Sequence, residues 1–427
     1  MADVDLVVRN CGEIATPIGS TALRGRALGE IHRIQNAAVL ARDGCIVAVG
    51  HERDVLPAAR AARVEVDAGG YAVLPGFVDP HTHAVFGAPR AAEFAARLEG
   101  RSYVEIAAAG GGIHSSVRDV RARSEDDLVE TTLPRLARML AHGTTTVEIK
   151  TGYGLTTADE LKMLRAIGRV AALVPQEIVV TFLGAHEIPI EHRDRRAEYV
   201  RLVLEEMIPA VAGLAEFNDV FCEPSVFTLE ESAAILEAGR RHGLLPKLHA
   251  DEIEPYGGAE LACRLGAVSA DHLMRVSEAG MRALSASPTI AVLLPATSFG
   301  LAAREYAPAR RLVEAGAAVA LASDFNPGSS YCESMQVVWS LACSMLRLTP
   351  GEALAAATLN AAAALGRADR VGSLEPGKRC DLVVTSARDY REVPYHFGVN
   401  NVRQVVAAGR LVWTDPALSA PREAGEA

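Results

Sequence analysis

Apolar and β-branched residues alternate with turn-formers over the first fifty positions, and then the rhythm changes. Residues 4–8, 37–41 and 45–50 are short apolar runs, and Asp43-Gly44 between the last two is the chemistry of a tight hairpin turn. A small β module is predicted there. From about residue 73 each apolar run is followed by a longer stretch with helical spacing, the pattern of βα units on a parallel sheet. Strands are expected at 73–79, 144–150, 178–184, 218–222, 246–250, 267–271, 289–295 and 318–323. Helices are expected between them at 125–142, 157–172, 194–211, 229–242, 255–265 and 306–315. Eight such units over roughly 250 residues predict an α/β fold, a (β/α)8 TIM-like barrel. After a helical tail at 350–365, residues 372–385 and 402–413 return to turn-plus-strand character, with Gly409-Arg410 as a turn. The simplest arrangement folds both termini into one small β-sandwich domain, 1–72 with 372–427, beside a barrel at 73–371. Residues 416–427, rich in Ala and Pro, are expected to fray.

The chain has 427 residues, 49% of them hydrophobic, and a formal net charge of −10. It can bury a large core, and it has no Lys/Arg-rich run. That balance argues against nucleic acid or an anionic membrane as partner and favours a small-molecule substrate. Asp3 and Asp5 stand where a secretory signal needs basic residues, and runs such as 290–294 fall far short of the roughly 20 apolar residues of a membrane span. Seven scattered cysteines without a C-x-x-C pair fit reduced thiols in a cytoplasmic protein.

Polar residues with metal-binding chemistry collect at the predicted strand ends. His81-Thr82-His83 follows the first barrel strand, and the two-residue period of extended chain throws both imidazoles to one side. Taken alone the pair is weak evidence, because two nearby histidines often have no function. However, strand five closes on Lys247-Leu248-His249, strand six on Ala270-Asp271-His272 and strand eight on Ala322-Ser323-Asp324. The C-terminal strand ends of a barrel share one face, so these residues meet there. Three imidazoles and a carboxylate suit one divalent metal, Zn(II) or Fe(II), with a position left for water. His81, His83, His249 and Asp324 are therefore assigned as ligands. His272 is read as a base or orienting group beside that water, with a fifth ligand as the alternative.

The run Pro75-Gly76-Phe77-Val78-Asp79-Pro80-His81-Thr82-His83, with His249, His272 and Asp324 at the ends of strands five, six and eight, resembles the amidohydrolase superfamily. The resemblance implies a metal-dependent hydrolase on a barrel, with a β-sandwich built from both termini. Longer blocks, such as 148–155, 181–186, 219–223, 249–252 and 323–329, resemble one branch whose members open a small cyclic amide bearing a carboxylate arm. A deaminase of an aromatic base or of an N-formimidoyl compound is the rival within the superfamily. A superfamily member that has lost its metal and serves as an assembly subunit is the rival from another functional class. The branch implies that Arg90 clamps the carboxylate arm, that Tyr153 reaches in from its Gly-flanked loop, and that His186 contacts a ring oxygen. It also implies that Glu252 bonds a ring N–H and passes protons, and that Asn326, Gly328 and Ser329 bind substrate. His272, Glu252 and Asp324 form the implied catalytic set, and a homodimer is implied. Members with two metals carry a bridging Lys at the end of strand four. Here that strand ends in Phe221-Cys222-Glu223, so one metal is implied, and Lys150 is read as a buried or substrate-side cation. Residues 110–112 are read as a flexible loop over the site.

Overall fold

The computed structural model describes residues 2–101, 105 and 110–419; the end of the segment expected to fray, 420–427, lies outside them. Strands β1 (Ala2–Thr16), β2 (His32–Arg42), β3 (Cys45–His51), β4 (Ala59–Asp67) and β5 (Ala72–Pro75) begin one sheet. Then β6 (Phe77–Asp79), β7 (Thr144–Lys150), β8 (Glu177–Ala185), β9 (Phe217–Cys222), β10 (Leu245–Ala250), β11 (Ser269–His272), β12 (Ile290–Leu293) and β13 (Val319–Leu321) form a second. The last three, β14 (Leu382–Thr385), β15 (Val402–Ala407) and β16 (Arg410–Thr414), return to the first sheet. Its order is β16-β15-β14-β5-β1-β2-β3, with β4 also on β1.

Asp43 and Gly44 turn the β2–β3 hairpin with φ of 51° and 79°, the left-handed geometry that Asp-Gly supplies most readily. β1 carries an irregularity between Val8 and Cys11; its first part pairs with β4 and its last part with β5. One long strand thus pairs with both β4 and β5. Val8 and Ile14 from one end of the chain share a buried core with Leu382, Val384 and Val406 from the other.

The run 73–79 is two strands rather than one. β5 pairs with β1 and β14, whereas β6 pairs with β7, so Ala72–Pro75 lies in the sheet of the two termini. Both halves are equally apolar, and hydrophobicity cannot tell which sheet each joins. Gly76 makes the change of sheet: a Cβ there would lie 2.3 Å from Thr145 Oγ1. The final hairpin turns on Ala408 and Gly409, with φ of 47° and 69°, rather than on Gly409-Arg410.

β6 to β13 follow one another in sequence order, and every pairing between them is parallel. Helices such as Glu125–Ala141, Thr157–Ala171 and Leu229–Arg241 run between them, the first and last opened by capping boxes on Ser124 and Thr228. The expected helix at 194–211 is broken by a π-turn over Val203–Met207. The barrel closes beyond the ends of its first and last strands. Asp324 N donates to His81 O at 3.0 Å, His83 N donates to Phe325 O at 2.8 Å, and Ser323 N donates to the Asp79 carboxylate at 3.0 Å. Closure therefore ties His81, His83 and Asp324 to one another at the C-terminal rim. No described helix is long and apolar enough to cross a membrane.

Candidate metal centre

Alternation along β10 sends Lys247 and His249 to the same side, at different depths. Asp271 and His272 are adjacent in sequence, yet both serve the site, because the chain turns at His272 with φ of 76°. Asp324 has φ of 51°. Backbone in this region is uncommon for side-chain-bearing residues and concentrates at functional sites.

The ligand atoms of His81, His83 and His249 lie within 4.8 Å of one another, as do those of His81, His272 and Asp324. Asp324 Oδ1 is 3.5 Å from His81 Nε2 and 3.6 Å from His83 Nε2. Its other oxygen accepts from Thr297 Oγ1 at 2.6 Å, which leaves Oδ1 facing the histidines. His81 Nδ1 is 2.6 Å from Asp271 Oδ2, and His249 Nδ1 is 3.0 Å from Asp219 Oδ2. Asp271 draws the His81 ring proton to Nδ1, so its Nε2 presents its lone pair to the centre, and Asp219 stands beside Nδ1 of His249. Both Nε2 atoms are buried and have no hydrogen-bond partner among the described residues. A divalent cation is the group that satisfies two such lone pairs beside a carboxylate oxygen. Burial holds His81, His83 and His272 well below the usual imidazole value, in the neutral form that binds metal. It also pushes the Asp324 carboxyl up to about 6.

Beneath the histidines lies a fully buried ionic cluster. Lys150 Nζ is 2.8 Å from Asp219, 3.1 Å from Glu148 and 3.6 Å from Asp271. Lys247 Nζ donates to Glu148 at 2.8 Å and to Pro80 O at 3.1 Å. One ammonium thus bridges the two carboxylates that orient His81 and His249. Burial would lower Lys150, but Asp219, Glu148 and Asp271 outweigh it and hold the group firmly charged. Burial would likewise raise Asp219, but His249 and Lys150 keep it well below the ordinary carboxylate range. Of the two readings of Lys150 the structure selects the buried cation. Lys150→Met should destabilise the protein by about 3–5 kcal/mol, because it leaves buried carboxylates uncompensated. Urea unfolding checks this, and an unchanged midpoint would contradict it.

Asp219, Asp271, Glu148 and Thr297 had no assigned role from sequence. For the three carboxylates the available signal was a charge at an inward position of a barrel strand, as with Asp219 in β9; Thr297, on the helix Pro295–Gly300, offered none.

At the mouth, Arg90 precedes the helix Ala91–Leu98, and its backbone N donates to Pro327 O at 2.9 Å. Its guanidinium lies directly over Gly328, where a Cβ would force the Arg90 side chain to move. Arg90 Nε and Nη1 are buried atoms without a hydrogen-bond partner among the described residues; Glu93 is 3.7 Å from Nε. The Tyr153 ring lies 5.8 Å from His83 and 5.4 Å from His186, centre to centre. Its loop wraps around the buried Glu160 carboxylate, which accepts from Gly152 N at 3.2 Å, Gly154 N at 2.8 Å and Leu155 N at 2.9 Å. His186 stacks on His83 at 4.9 Å, and its Nδ1 is 3.0 Å from Gly152 O. Burial, then the neighbouring His249, pushes His186 down to about 3, so it is neutral.

Glu252 Oε1 is 3.4 Å from His272 Nδ1, and burial, then Asp324, pushes the Glu252 carboxyl up to about 8. Asn326 Oδ1 accepts from Gly328 N and Ser329 N, both at 2.8 Å, while its Nδ2 donates to Asp324 O at 2.7 Å and Ser329 Oγ at 2.8 Å. The three residues are thus bonded to one another, and their loop braces Asp324 and seats Arg90. Gly112 lines a cavity of about 410 Å³ with His114, Glu187, Phe221 and Ile253. The Phe221 ring is 5.6 Å from that of His249, so the cavity adjoins the metal centre.

The profile of the amidohydrolase family matches residues 72–412. The chain belongs to that family. An imidazolonepropionase of Symbiobacterium thermophilum is 51% identical over 418 residues, covering 96% of this chain and 98% of the relative. One of Geobacillus kaustophilus is 49% identical over 417 residues, with the same coverage. The chain therefore lies in the imidazolonepropionase branch. Among solved structures, E. coli guanine deaminase superposes with a TM-score of 0.74 at 15% identity, covering 97% of this chain and all of that one. A zinc-containing adenosine deaminase of Xanthomonas campestris gives 0.72 at 22%, covering 97% and 96%. At these identities the likeness concerns the fold.

Proposed function

We propose that the chain hydrolyses 4-imidazolone-5-propanoate to N-formimidoyl-L-glutamate in histidine degradation, with one Zn(II) or Fe(II), as a cytoplasmic homodimer. The observation that carries this reading is a half-buried guanidinium, two of whose nitrogens have no hydrogen-bond partner among the described residues, beside a histidine-carboxylate metal centre, in a chain whose full-length relatives are imidazolonepropionases. His81, His83, His249 and Asp324 hold the metal. When bound it supplies Lewis acidity, polarising the lactam carbonyl and bringing the pKa of water to about 7.

The chain's own groups do the rest. His272, neutral through burial, accepts the proton of the attacking water. Glu252 still carries its proton near neutral pH and donates it to the leaving ring nitrogen. His186 bears its proton on Nδ1, toward Gly152 O, which leaves Nε2 as an acceptor. That atom suits a ring N–H rather than the ring oxygen expected from sequence. Arg90 takes the propanoate carboxylate, and Tyr153 closes the wall beside it.

Incubation with a panel of cyclic amides and aromatic amines, followed by absorbance and product mass, tests the reading. Ring opening in H₂¹⁸O should place the label in the new carboxylate, and ammonia release from an aromatic amine would favour a deaminase instead. Arg90→Met should raise KM far more for the propanoate substrate than for an analogue lacking the arm, by the equivalent of about 1.5–3 kcal/mol. Equal loss for both compounds would assign Arg90 to the fold or the metal.

A further inference from the structure

Glu223 directly follows β9 on the rim next to β10, and it is fully buried. Its Oε1 accepts from Glu252 N at 2.7 Å and Ile253 N at 3.0 Å, and its Oε2 accepts from Glu254 N at 3.3 Å. Three successive backbone N–H groups thus converge on one carboxylate. Such convergence is how protein loops hold an anion, and here the anion is supplied by the chain itself. The arrangement repeats that of Glu160 beneath the Tyr153 loop. In both places a rim loop that carries a substrate-facing side chain is shaped around a buried glutamate.

The cost of this arrangement points to its purpose. Burial raises the Glu223 carboxyl, and the backbone N–H groups offset that only in part. Glu223 is also a like charge toward Glu252, whose carboxyl lies 3.4 Å from His272. What the carboxylate adds is two oxygens that fix three consecutive peptide units at once.

We propose that Glu223 is a positioning residue: by gripping the backbone of residues 252–254 it holds the Glu252 carboxyl against His272 and the leaving ring nitrogen. The proposal rests on the lactam-opening function given above. A displacement of about 1 Å at a proton-transferring group costs on the order of 10²-fold in rate.

The test is a double-mutant cycle on the metal-loaded enzyme with Glu223→Ala, Glu252→Ala and the pair, together with Glu223→Gln. Glu223→Ala should lower kcat about 10- to 100-fold with little change in KM and with full metal content. Glu223→Gln keeps one oxygen toward the N–H groups of residues 252 and 253 and should recover most of that loss. In the Glu252→Ala background, Glu223→Ala should add less than about twofold, since residues acting through one another are not additive. Full additivity, loss of metal, or a Glu223→Gln variant as impaired as Glu223→Ala would overturn the proposal. If Glu223→Ala fails to fold, the Glu223→Gln arm in both backgrounds still decides, with a shortfall in the parent that disappears without Glu252. A wild-type chain that opens no lactam would refute the functional reading instead, before any variant is compared.

Discussion

His249→Ala and Asp324→Ala are each expected to abolish metal binding and ring opening together, while the barrel stays folded. Each change removes one donor from a cluster whose ligand atoms lie within 4.8 Å of a common partner, His81. The loss should exceed the roughly 10- to 100-fold typical when only an orienting partner is removed. Both side chains sit at the rim, above the layers of the barrel core, and circular dichroism should be unchanged. Asp324→Ala frees Thr297 Oγ1, a cost of about 1 kcal/mol that a thermal melt will register as a small shift. Metal analysis of the purified variants is the decisive measurement. Stoichiometric metal in both would refute the ligand assignment.

His272→Ala is the second large effect. A general base contributes about 10²- to 10⁴-fold, so kcat should fall within that range with metal retained. Loss of metal would make His272 a fifth ligand, and an undiminished kcat would exclude it from proton transfer. Its partner Glu252 allows a check on direction. A proton donor with its carboxyl at about 8 is competent below that pH, so kcat should decline as pH rises through about 8. Glu252→Gln should remove that limb and be milder than Glu252→Ala, because the amide keeps a hydrogen bond to the ring. A limb that persists in both variants belongs to another group.

The candidate residues of the centre were legible because each occupies a place that local sequence defines. His81 and His83 are two residues apart on extended chain, and His249, His272 and Asp324 each follow an apolar run. The helix at 194–211 was legible in extent but not in form, since a π-turn inserts its extra residue without disturbing apolar spacing. Asn326 shows the same limit of local sequence. An Asn-Pro-Gly run signals a turn, but only the coordinates reveal that both ends of the amide are engaged within that turn and on Asp324.

Periodicity alone determined the barrel, the terminal β domain and the face on which the chemistry gathers, because strand alternation and helical spacing are properties of neighbouring residues. Tertiary structure decided which sheet each half of 73–79 joins, which carboxylate orients which histidine, and which glutamate grips which loop. Lys150 meets Asp219 across 69 positions, and His81 meets Asp271 across 190. Such pairings depend on strand register and on how the barrel closes. The protonation states that follow depend on burial, and burial is a property of the whole fold.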